Sequence, residues 1–233
     1  MRLDALLTRL GVGSRSQAQR LIRQGAVTVL GQPVRDPAAA VEPGCALTVS
    51  GTALDTRVDR TLMLHKPAGV LTAAEDRNAR TVMDLLPPVY RSLRCMPVGR
   101  LDKATTGLLL LTTDGELAHR LISPKWEIEK TYIATTDTPL IPADIARFAA
   151  GVALSDFTAR PARLAILDTH TAEITVTEGK YHQVRRMLAA CGHETVTLHR
   201  ERLGPVTLDD SLAPGEAREL TAAEMEALRK AVF

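Results

Sequence analysis

The sequence predicts an α+β protein, in which a small N-terminal α/β unit precedes a larger mixed domain built on a mainly antiparallel sheet. Segments with strand character alternate irregularly with segments of helical character, and several strand pairs are joined by short turns. Neither a GxGxxG stretch nor a phosphate-binding loop occurs, which disfavours a parallel doubly wound sheet. Hydrophobic residues form 45% of the 233 residues and charged residues 24%, as in ordinary globular proteins with a substantial core.

Two short helices open the chain. In RLDALLTRL, the leucines recur at the spacing of one helical face, at Leu3, Leu6, Leu7 and Leu10. SRSQAQRLIRQG begins at a serine cap and ends at Gly25, with a predicted buried stripe of Ala18, Leu21 and Ile22. AVTVLGQPV then reads as strand, turn and strand, which completes a compact N-terminal unit.

The N-terminal segment is strongly basic, although the net charge of the whole chain is only +2. Residues 1–35 hold six arginines against one acidic residue, Asp4. The second helix can present a basic face, composed of Arg15, Gln19, Arg20 and Arg23. Such a face favours phosphate contacts with a nucleic acid, and a solvated arginine-rich helix is an equal alternative on charge alone.

A linker near residues 51–60 is expected to separate an N-terminal domain, 1–57, from a second domain, 58–233, because GTALDTRVDR lacks periodicity. The second domain begins with a strand in TLMLHK, after which Pro67 and Gly69 impose a turn. Further strands are predicted in CMPVGRLD, GLLLLTT, KTYIATT, AEITVTE and ETVTLHRERL. Helices are predicted in DGELAHRLI, DIARFAAG, HQVRRMLAACG and AAEMEALRKAV.

Composition argues against several other classes of protein. No apolar run approaches the roughly 18 residues of a membrane helix, so a cytoplasmic location and no membrane partner are expected. The three cysteines, Cys45, Cys95 and Cys191, are odd in number and widely separated. This spacing indicates neither a disulfide framework nor a zinc site, and no bound metal is predicted.

Asp102 stands between a basic residue and a run of four leucines in GRLDKATTGLLLL, where a carboxylate is costly to bury. The four leucines, residues 108–111, read as a strand buried on both faces. Thr113 and Glu116 can form a capping box for the helix that follows, with Asp114 as a further capping candidate. The residues alone favour a turn role for Asp102, in which its side chain binds the backbone amides that follow it.

Several separated motifs give the chain a resemblance to a known family. Residues 1 to about 50 resemble the small RNA-binding domain named after ribosomal small-subunit protein four, which uses such a helix pair. HKPAG, GRLDKATTGLLLLTTDG, EKTY and EGKYHQVRRM resemble, in this order, the motifs of the pseudouridine synthases that carry this domain. The form EGKYHQVRRM followed by LHRERLG is most similar to synthases that act on small-subunit (16S) ribosomal RNA.

The resemblance implies an enzyme that detaches a uridine at its glycosidic bond, turns the base and joins C5 to C1′ without a cofactor. It implies that Asp102 is the nucleophile or the trigger of cleavage and that Arg185, with its permanent charge and paired donors, holds the carboxylate. It also implies that the ring of Tyr132 packs on the target base, where stacking replaces the neighbours that the base loses on extrusion.

Other polar residues of these motifs are expected to contact RNA. Arg100 resembles a basic position near the extruded nucleotide, and three further residues are expected to shape the pocket or meet phosphates: Lys66, Lys180 and His182. The implied partner is ribosomal RNA, as small-subunit RNA or a pre-ribosomal particle, and a monomer is expected. Two alternatives stay open: a synthase that acts on large-subunit (23S) RNA, and a non-catalytic RNA-binding assembly factor.

Overall fold

A computed structural model describes all 233 residues, which form two compact units. The first unit contains Met1–Arg60 together with Leu86–Met96, and the second contains Thr61–Leu85 together with Pro97–Phe233. The expected division between residues 57 and 58 differs from this grouping chiefly in one segment. Residues 86–96 pack with the N-terminal residues, although the chain reaches them only after it has begun the second unit.

The first unit combines three helices with a small antiparallel sheet. Its helices are α1 (Leu3–Arg9), α2 (Arg15–Arg23) and α3 (Pro88–Ser92). Its strands are β1 (Val27–Val29), β2 (Gln32–Pro33), β3 (Leu47–Val49) and β4 (Thr52–Leu54), in the spatial order β2-β1-β3-β4. The strand β4 therefore lies inside the segment 51–60, where the sequence suggests a linker.

The core of the first unit follows the predicted helical spacing. The four leucines of the first helical face are all buried, and α2 adds Ala18 and Ile22, both fully buried. Ser14 caps α2, because its side chain accepts a hydrogen bond from the backbone N–H of Gln17. The side chain of Gln17 in turn accepts a hydrogen bond from the backbone N–H of Ser14. Leu93, which directly follows α3, is 2% exposed and packs into this same core.

The second unit is built on one large mixed sheet. Its strands are β5 (Thr61–Lys66), β6 (Met96–Pro97, where the chain returns to this unit), β7 (Thr106–Thr112), β8 (Lys130–Thr136), β9 (Arg163–Asp168), β10 (Thr171–Val176), β11 (Thr195–Leu203), β12 (Val206–Thr207) and β13 (Ala217–Glu219). Seven strands lie in the order β13-β5-β7-β11-β8-β10-β9, and β12 pairs with β11. Within this seven-strand order, only β7 and β11 are parallel neighbours, so the predicted mainly antiparallel α+β class is confirmed.

Four helices accompany this sheet: α4 (Gly115–Ile122), α5 (Pro142–Ala150), α6 (Gln183–Ala190) and α7 (Ala222–Val232). The leucines at 108–111 in β7 are fully buried, as predicted for a strand covered on both faces, and α4 and α7 pack against it. Asp114 caps α4 by accepting a hydrogen bond from the Leu117 N–H, so the capping box expected from Thr113 and Glu116 does not form. No helix is long and apolar enough to span a membrane.

Gly107 permits the close approach of the two parallel strands. Its φ is 103°, and a Cβ atom at this position would overlap the backbone of Arg200 in β11. Only glycine meets both conditions without strain. The start of β7, and with it the loop that precedes it, is thereby held against β11.

Candidate active site

A cleft opens in the second unit where the loop before β7, the strand β8 and the start of α6 meet. Five of the side chains predicted for the site line it: Arg100, Asp102, Tyr132, Lys180 and His182. Three sequence motifs, separated by as many as 80 residues, therefore converge on one place.

The backbone of the loop that carries Asp102 is fixed by a buried lysine. Lys66 is the last residue of β5 and is completely buried. Its ammonium donates to the carbonyl oxygens of Thr105 (2.8 Å), Asp102 (3.1 Å) and Lys103 (3.3 Å), and to that of Pro67 (3.0 Å). Charge-assisted bonds to successive carbonyls hold the loop in one conformation.

The position of Lys66 corrects the expectation that it meets RNA phosphates. An ammonium with no solvent exposure and four carbonyl acceptors has no surface to offer a phosphate. Burial lowers its pKa to about 8, and the negative charge of Asp102 partly opposes this shift. Lys66 therefore positions the loop from the protein interior.

A second set of hydrogen bonds holds Leu101, the residue before Asp102. The hydroxyl of Thr72 donates to the Leu101 carbonyl (2.8 Å) and accepts from the Leu101 N–H (3.2 Å). The Gly69 N–H donates to the Lys103 carbonyl (2.8 Å). The turn in HKPAG thus has a structural purpose, because it braces the Asp102 loop at several backbone atoms.

The carboxylate of Asp102 is itself only partly buried, with 31% of its side chain exposed. It faces the imidazole of His182, whose Nε2 lies 3.4 Å from Asp102 Oδ1. The leucines of β7 are fully buried, whereas Asp102 opens into the cleft. This exposure leaves the carboxylate accessible to a ligand.

His182 has an unusual backbone conformation immediately before α6. Its φ of 49° places a non-glycine residue in the left-handed region, and its side chain does not cap the helix. Its ring stacks on that of Tyr181, with centroids 3.8 Å apart and 16° between the planes. The Lys180 N–H donates to the buried side chain of Gln183 (2.9 Å), which fixes this turn.

Arg185 does not meet Asp102 in the structure. Its guanidinium donates to the backbone carbonyl of Thr195 (3.1 Å), at the start of β11, and it does not line the cleft. The predicted ion pair between Arg185 and Asp102 is therefore absent. Arg185 joins α6 to β11 instead, and His182 takes the place beside the carboxylate.

Tyr132 lies on β8, in the floor of the cleft, and is 8% exposed. Its neighbours across the sheet are Ile174 on β10 and Arg200 on β11. The Arg200 side chain is buried and donates to the Leu108 carbonyl (2.8 Å). Tyr132 is thus held by two adjacent strands with part of its surface open to the cleft.

Exposed cations surround the mouth of the cleft. Arg100 is exposed, and the ammonium of Lys180 lies 3.5 Å from the ring centroid of Phe157 and 3.8 Å from the buried Glu178. Cations placed in this way can attract a phosphate backbone. The expected RNA-contacting roles of Arg100, Lys180 and His182 remain predictions.

In the first unit, the predicted basic face is partly engaged within the protein. The carboxylate of Asp4 is fully buried and accepts hydrogen bonds from Gln19 (2.8 Å), Arg15 (3.3 Å) and Arg2 (2.9 and 3.0 Å). Gln19 and Arg15 therefore join α2 to α1, although the Arg15 side chain stays 62% exposed. Arg20 and Arg23 are exposed and remain the residues of α2 that are free to contact a ligand.

Two residues of the cleft region, Thr105 and Tyr181, were not predicted from the sequence. Thr105 lines the cleft and is 1% exposed, and Tyr181 is 76% exposed although it is aromatic. The scarcity of aromatic residues, 3% of the chain, was a usable signal for Tyr181. Nothing in the sequence distinguishes Thr105 from the adjacent Thr106.

Two known protein families match this chain, one over each part of it. The model of the RNA pseudouridylate synthase family matches residues 60–190, and the model of the S4 domain matches residues 1–44. The chain belongs to the RNA pseudouridylate synthase family. It is a pseudouridine synthase, an isomerase, with an RNA-binding domain at its N-terminus.

Individual relatives are similar over nearly the whole chain. The ribosomal small subunit pseudouridine synthase A of Escherichia coli is 43% identical, over 97% of this chain and 98% of its own length. The RNA pseudouridine synthase YtzG of Bacillus subtilis is 43% identical over 99% of both chains. A crystal structure of a pseudouridylate synthase superimposes with a TM-score of 0.70 at 38% identity, covering 98% of this chain and 99% of that one.

Proposed function

We propose that this enzyme converts a specific uridine of small-subunit (16S) ribosomal RNA to pseudouridine, with Asp102 as the nucleophile or trigger of glycosidic cleavage. The observation that carries the proposal is the placement of Asp102. Its carboxylate opens into a cleft floored by Tyr132, whereas its backbone is fixed by the buried Lys66. A group so placed can reach a nucleotide that enters the cleft.

The residues of the cleft suit a nucleotide that has left its stack. A target base must be extruded before an enzyme can act on it, and a flat ring compensates for the stacking that is lost. Tyr132 offers such a ring from β8, in the same cleft as Asp102. The Asp102 carboxylate then starts the cleavage of the bond between N1 and C1′, after which the freed base turns and C5 is joined to C1′.

The choice of small-subunit RNA is supported by the relatives. Synthases named for the small ribosomal subunit in Escherichia coli and Yersinia pestis are 43% and 42% identical to this chain, each over 97% of it. Arg20 and Arg23 provide exposed positive charge on the N-terminal domain. A second, modest RNA contact linked to the catalytic one raises the overall affinity.

The same substrate sets the expected location and assembly of the enzyme. Ribosomal RNA and pre-ribosomal particles place the reaction in the cytoplasm. A monomer is the assembly proposed for the enzyme. Either free small-subunit RNA or an assembly intermediate can present the uridine.

The proposal is tested by release of tritium from RNA labelled at uridine C5, since this label leaves only when C5 is joined to the sugar. Wild type is compared with Asp102→Asn on 16S RNA, on small-subunit assembly intermediates and on 23S RNA. We expect release from small-subunit RNA, and a fall of at least about 1,000-fold in Asp102→Asn, as is usual when a reacting group is removed.

Asp210→Asn is the matched control, because Asp210 is exposed and lies outside the cleft. It should retain wild-type release. Release from 23S RNA alone would contradict the proposed substrate. Equal release by wild type and Asp102→Asn would remove Asp102 from the reaction.

A further inference from the structure

The hydroxyl of Thr105 is a buried polar group without a partner in the protein. Four buried side-chain atoms in the molecule lack a hydrogen bond: Thr105 Oγ1, Asp144 Oδ1, Thr195 Oγ1 and Arg200 Nη2. Of these, only Thr105 lines the cleft that holds Asp102 and Tyr132. Thr105 is therefore the one residue of the four that borders the place where a nucleotide is expected.

The backbone of Thr105 is fully engaged, in contrast to its side chain. Its N–H donates to the Asp102 carbonyl (3.0 Å), and its own carbonyl accepts from the Lys66 ammonium (2.8 Å). The residue is thus rigidly placed three positions after Asp102, on the same turn. A hydroxyl held in this way has a defined position relative to the carboxylate.

Leaving this hydroxyl unpaired costs stability. A buried hydroxyl without a hydrogen bond loses its interaction with water and gains nothing in return, so a methyl group of the same size would be preferred there. The adjacent Thr106 shows the ordinary arrangement, because its hydroxyl is paired with His199 Nδ1 at 2.9 Å. Unsatisfied buried groups in native proteins call for an explanation, and a ligand is one.

We propose that the Thr105 hydroxyl hydrogen-bonds the target nucleotide, through one of the neutral polar groups of the uracil ring, and so orients the base against Asp102. The inference rests on the proposed function, because it takes the cleft to receive the nucleotide. The bond is available only when the cleft is filled. Thr105 is then a substrate-binding residue that costs stability in the free enzyme and contributes to catalysis in the complex.

The test separates stability from activity with one isosteric substitution and one that keeps the hydroxyl. Thr105→Val should lower kcat/KM for tritium release by about 10- to 100-fold, the usual effect of leaving one polar group of a substrate unpaired. Its melting temperature should equal or exceed that of wild type. Thr105→Ser, which keeps the hydroxyl, should retain activity within about threefold.

Thr106→Val is the matched control, and its effects on stability and on activity should be the opposite of those of Thr105→Val. It removes a formed hydrogen bond to His199, so it should lower the melting temperature and keep kcat/KM within about threefold of wild type. A lower melting temperature in Thr105→Val would show that its hydroxyl has a partner in the protein. Unchanged kcat/KM in Thr105→Val would exclude the contact with the nucleotide.

A binding experiment keeps this inference separate from the choice of ribosomal RNA. Asp102→Asn protein with labelled threonine methyl groups is titrated with oligouridylate and with an abasic strand of the same length. The Thr105 signal, assigned by its loss in Thr105→Val, should shift with oligouridylate alone. Equal shifts with both strands, or none, would overturn the contact whatever RNA the enzyme modifies.

Discussion

At the scale of single residues, two charged side chains near the buried strand β7 have different roles. The cation of Lys66 enters the interior and is satisfied by carbonyl oxygens, whereas the anion of Asp102 stays half-exposed. An ionised carboxylate in the interior would pay a large desolvation cost, and it would be out of reach of a substrate. The buried charge therefore fixes the backbone and leaves the exposed one accessible to a ligand.

This division predicts the behaviour of Lys66→Met, which keeps the length of the side chain and removes its donors. Four carbonyl oxygens would lose their partner, so the free energy of unfolding should fall by about 2 to 4 kcal/mol. The turnover number should fall at least about 10-fold, because the Asp102 loop would no longer be held in place. Urea denaturation and tritium release measure the two effects.

Lys103→Met is the control for this substitution. Lys103 is on the same loop, but its side chain is exposed. Both stability and turnover should stay close to wild type. Wild-type turnover in Lys66→Met would show that the loop does not depend on the buried ammonium.

The contents of the cleft were predictable from the sequence only in part. Asp102 and Tyr132 were identified because their motifs resemble those of a known family, and the structure brings them to one cleft. Local pattern could not show that Lys66 is internal, because a lysine at the end of a strand is usually exposed. Nor could it show that Arg185 turns to Thr195, because the sequence does not specify which of several nearby acceptors a long side chain reaches.

At the scale of elements, a buried acid holds the two N-terminal helices together. Asp4 on α1 accepts hydrogen bonds from Gln19 and Arg15 of α2 as well as from Arg2. The hydrogen bonds from Arg2, followed by those from Gln19 and Arg15, hold the pKa of the Asp4 carboxyl well below its usual range. Two of the arginines that make this segment basic, Arg2 and Arg15, therefore stabilise the fold by binding Asp4.

Asp4→Asn should lower the free energy of unfolding of the first unit by about 2 kcal/mol at neutral pH, because charge-assisted bonds are weakened. Since the folded pKa is depressed, the stabilisation by Asp4 is present above the ordinary carboxyl pKa and is lost as pH falls below about 4. The difference between variant and wild type should therefore shrink in acid. Urea denaturation from pH 7 to pH 3 measures it.

Asp59→Asn provides the comparison, because Asp59 is exposed and belongs to the same unit. It should leave both the stability and its pH dependence unchanged. An Asp4→Asn variant as stable as wild type at pH 7 would contradict the role of Asp4 as the connection between α1 and α2.

Among the elements, those with strong periodicity were predicted correctly and those without it were missed. The strands β5, β7, β8, β10 and β11 and the helices α4 to α7 all overlap segments chosen for their hydrophobic pattern. The edge strand β9 and the short helix α3 were not predicted. No residue of α3 is buried, so it carries no apolar stripe by which a helix is recognised. The strand β9 has an unbroken apolar run at residues 164–167 rather than the alternation of apolar and polar residues that marks a half-buried strand.

At the scale of the whole molecule, the two units are interleaved along the chain. Leu93 lies far from the N-terminus in sequence, yet it fills the core of the first unit together with the leucines of α1. A division at a single linker, as the sequence suggested, would leave this residue in the wrong unit. Long-range contacts of this kind leave no signal in local periodicity.

Truncation to residues 61–233 should therefore yield an aggregation-prone protein. Without residues 1–60, Leu93 and Val89 lose the side chains that cover them and become an exposed apolar patch. The same truncation with Val89→Ser and Leu93→Ser should elute as a monomer in size-exclusion chromatography. A monodisperse, unmodified truncation would show that segment 86–96 does not depend on the N-terminal residues.

The interleaving also affects the order of events during synthesis. A ribosome that has completed residue 60 must add 36 more residues before residue 96, the last of the first unit, exists. At translation rates of about 5 to 20 residues per second, this takes about 2 to 7 s. Throughout that interval the nascent N-terminal helices lack part of their core, so the domain that will later grip RNA matures only after the first strand of the catalytic unit has been made.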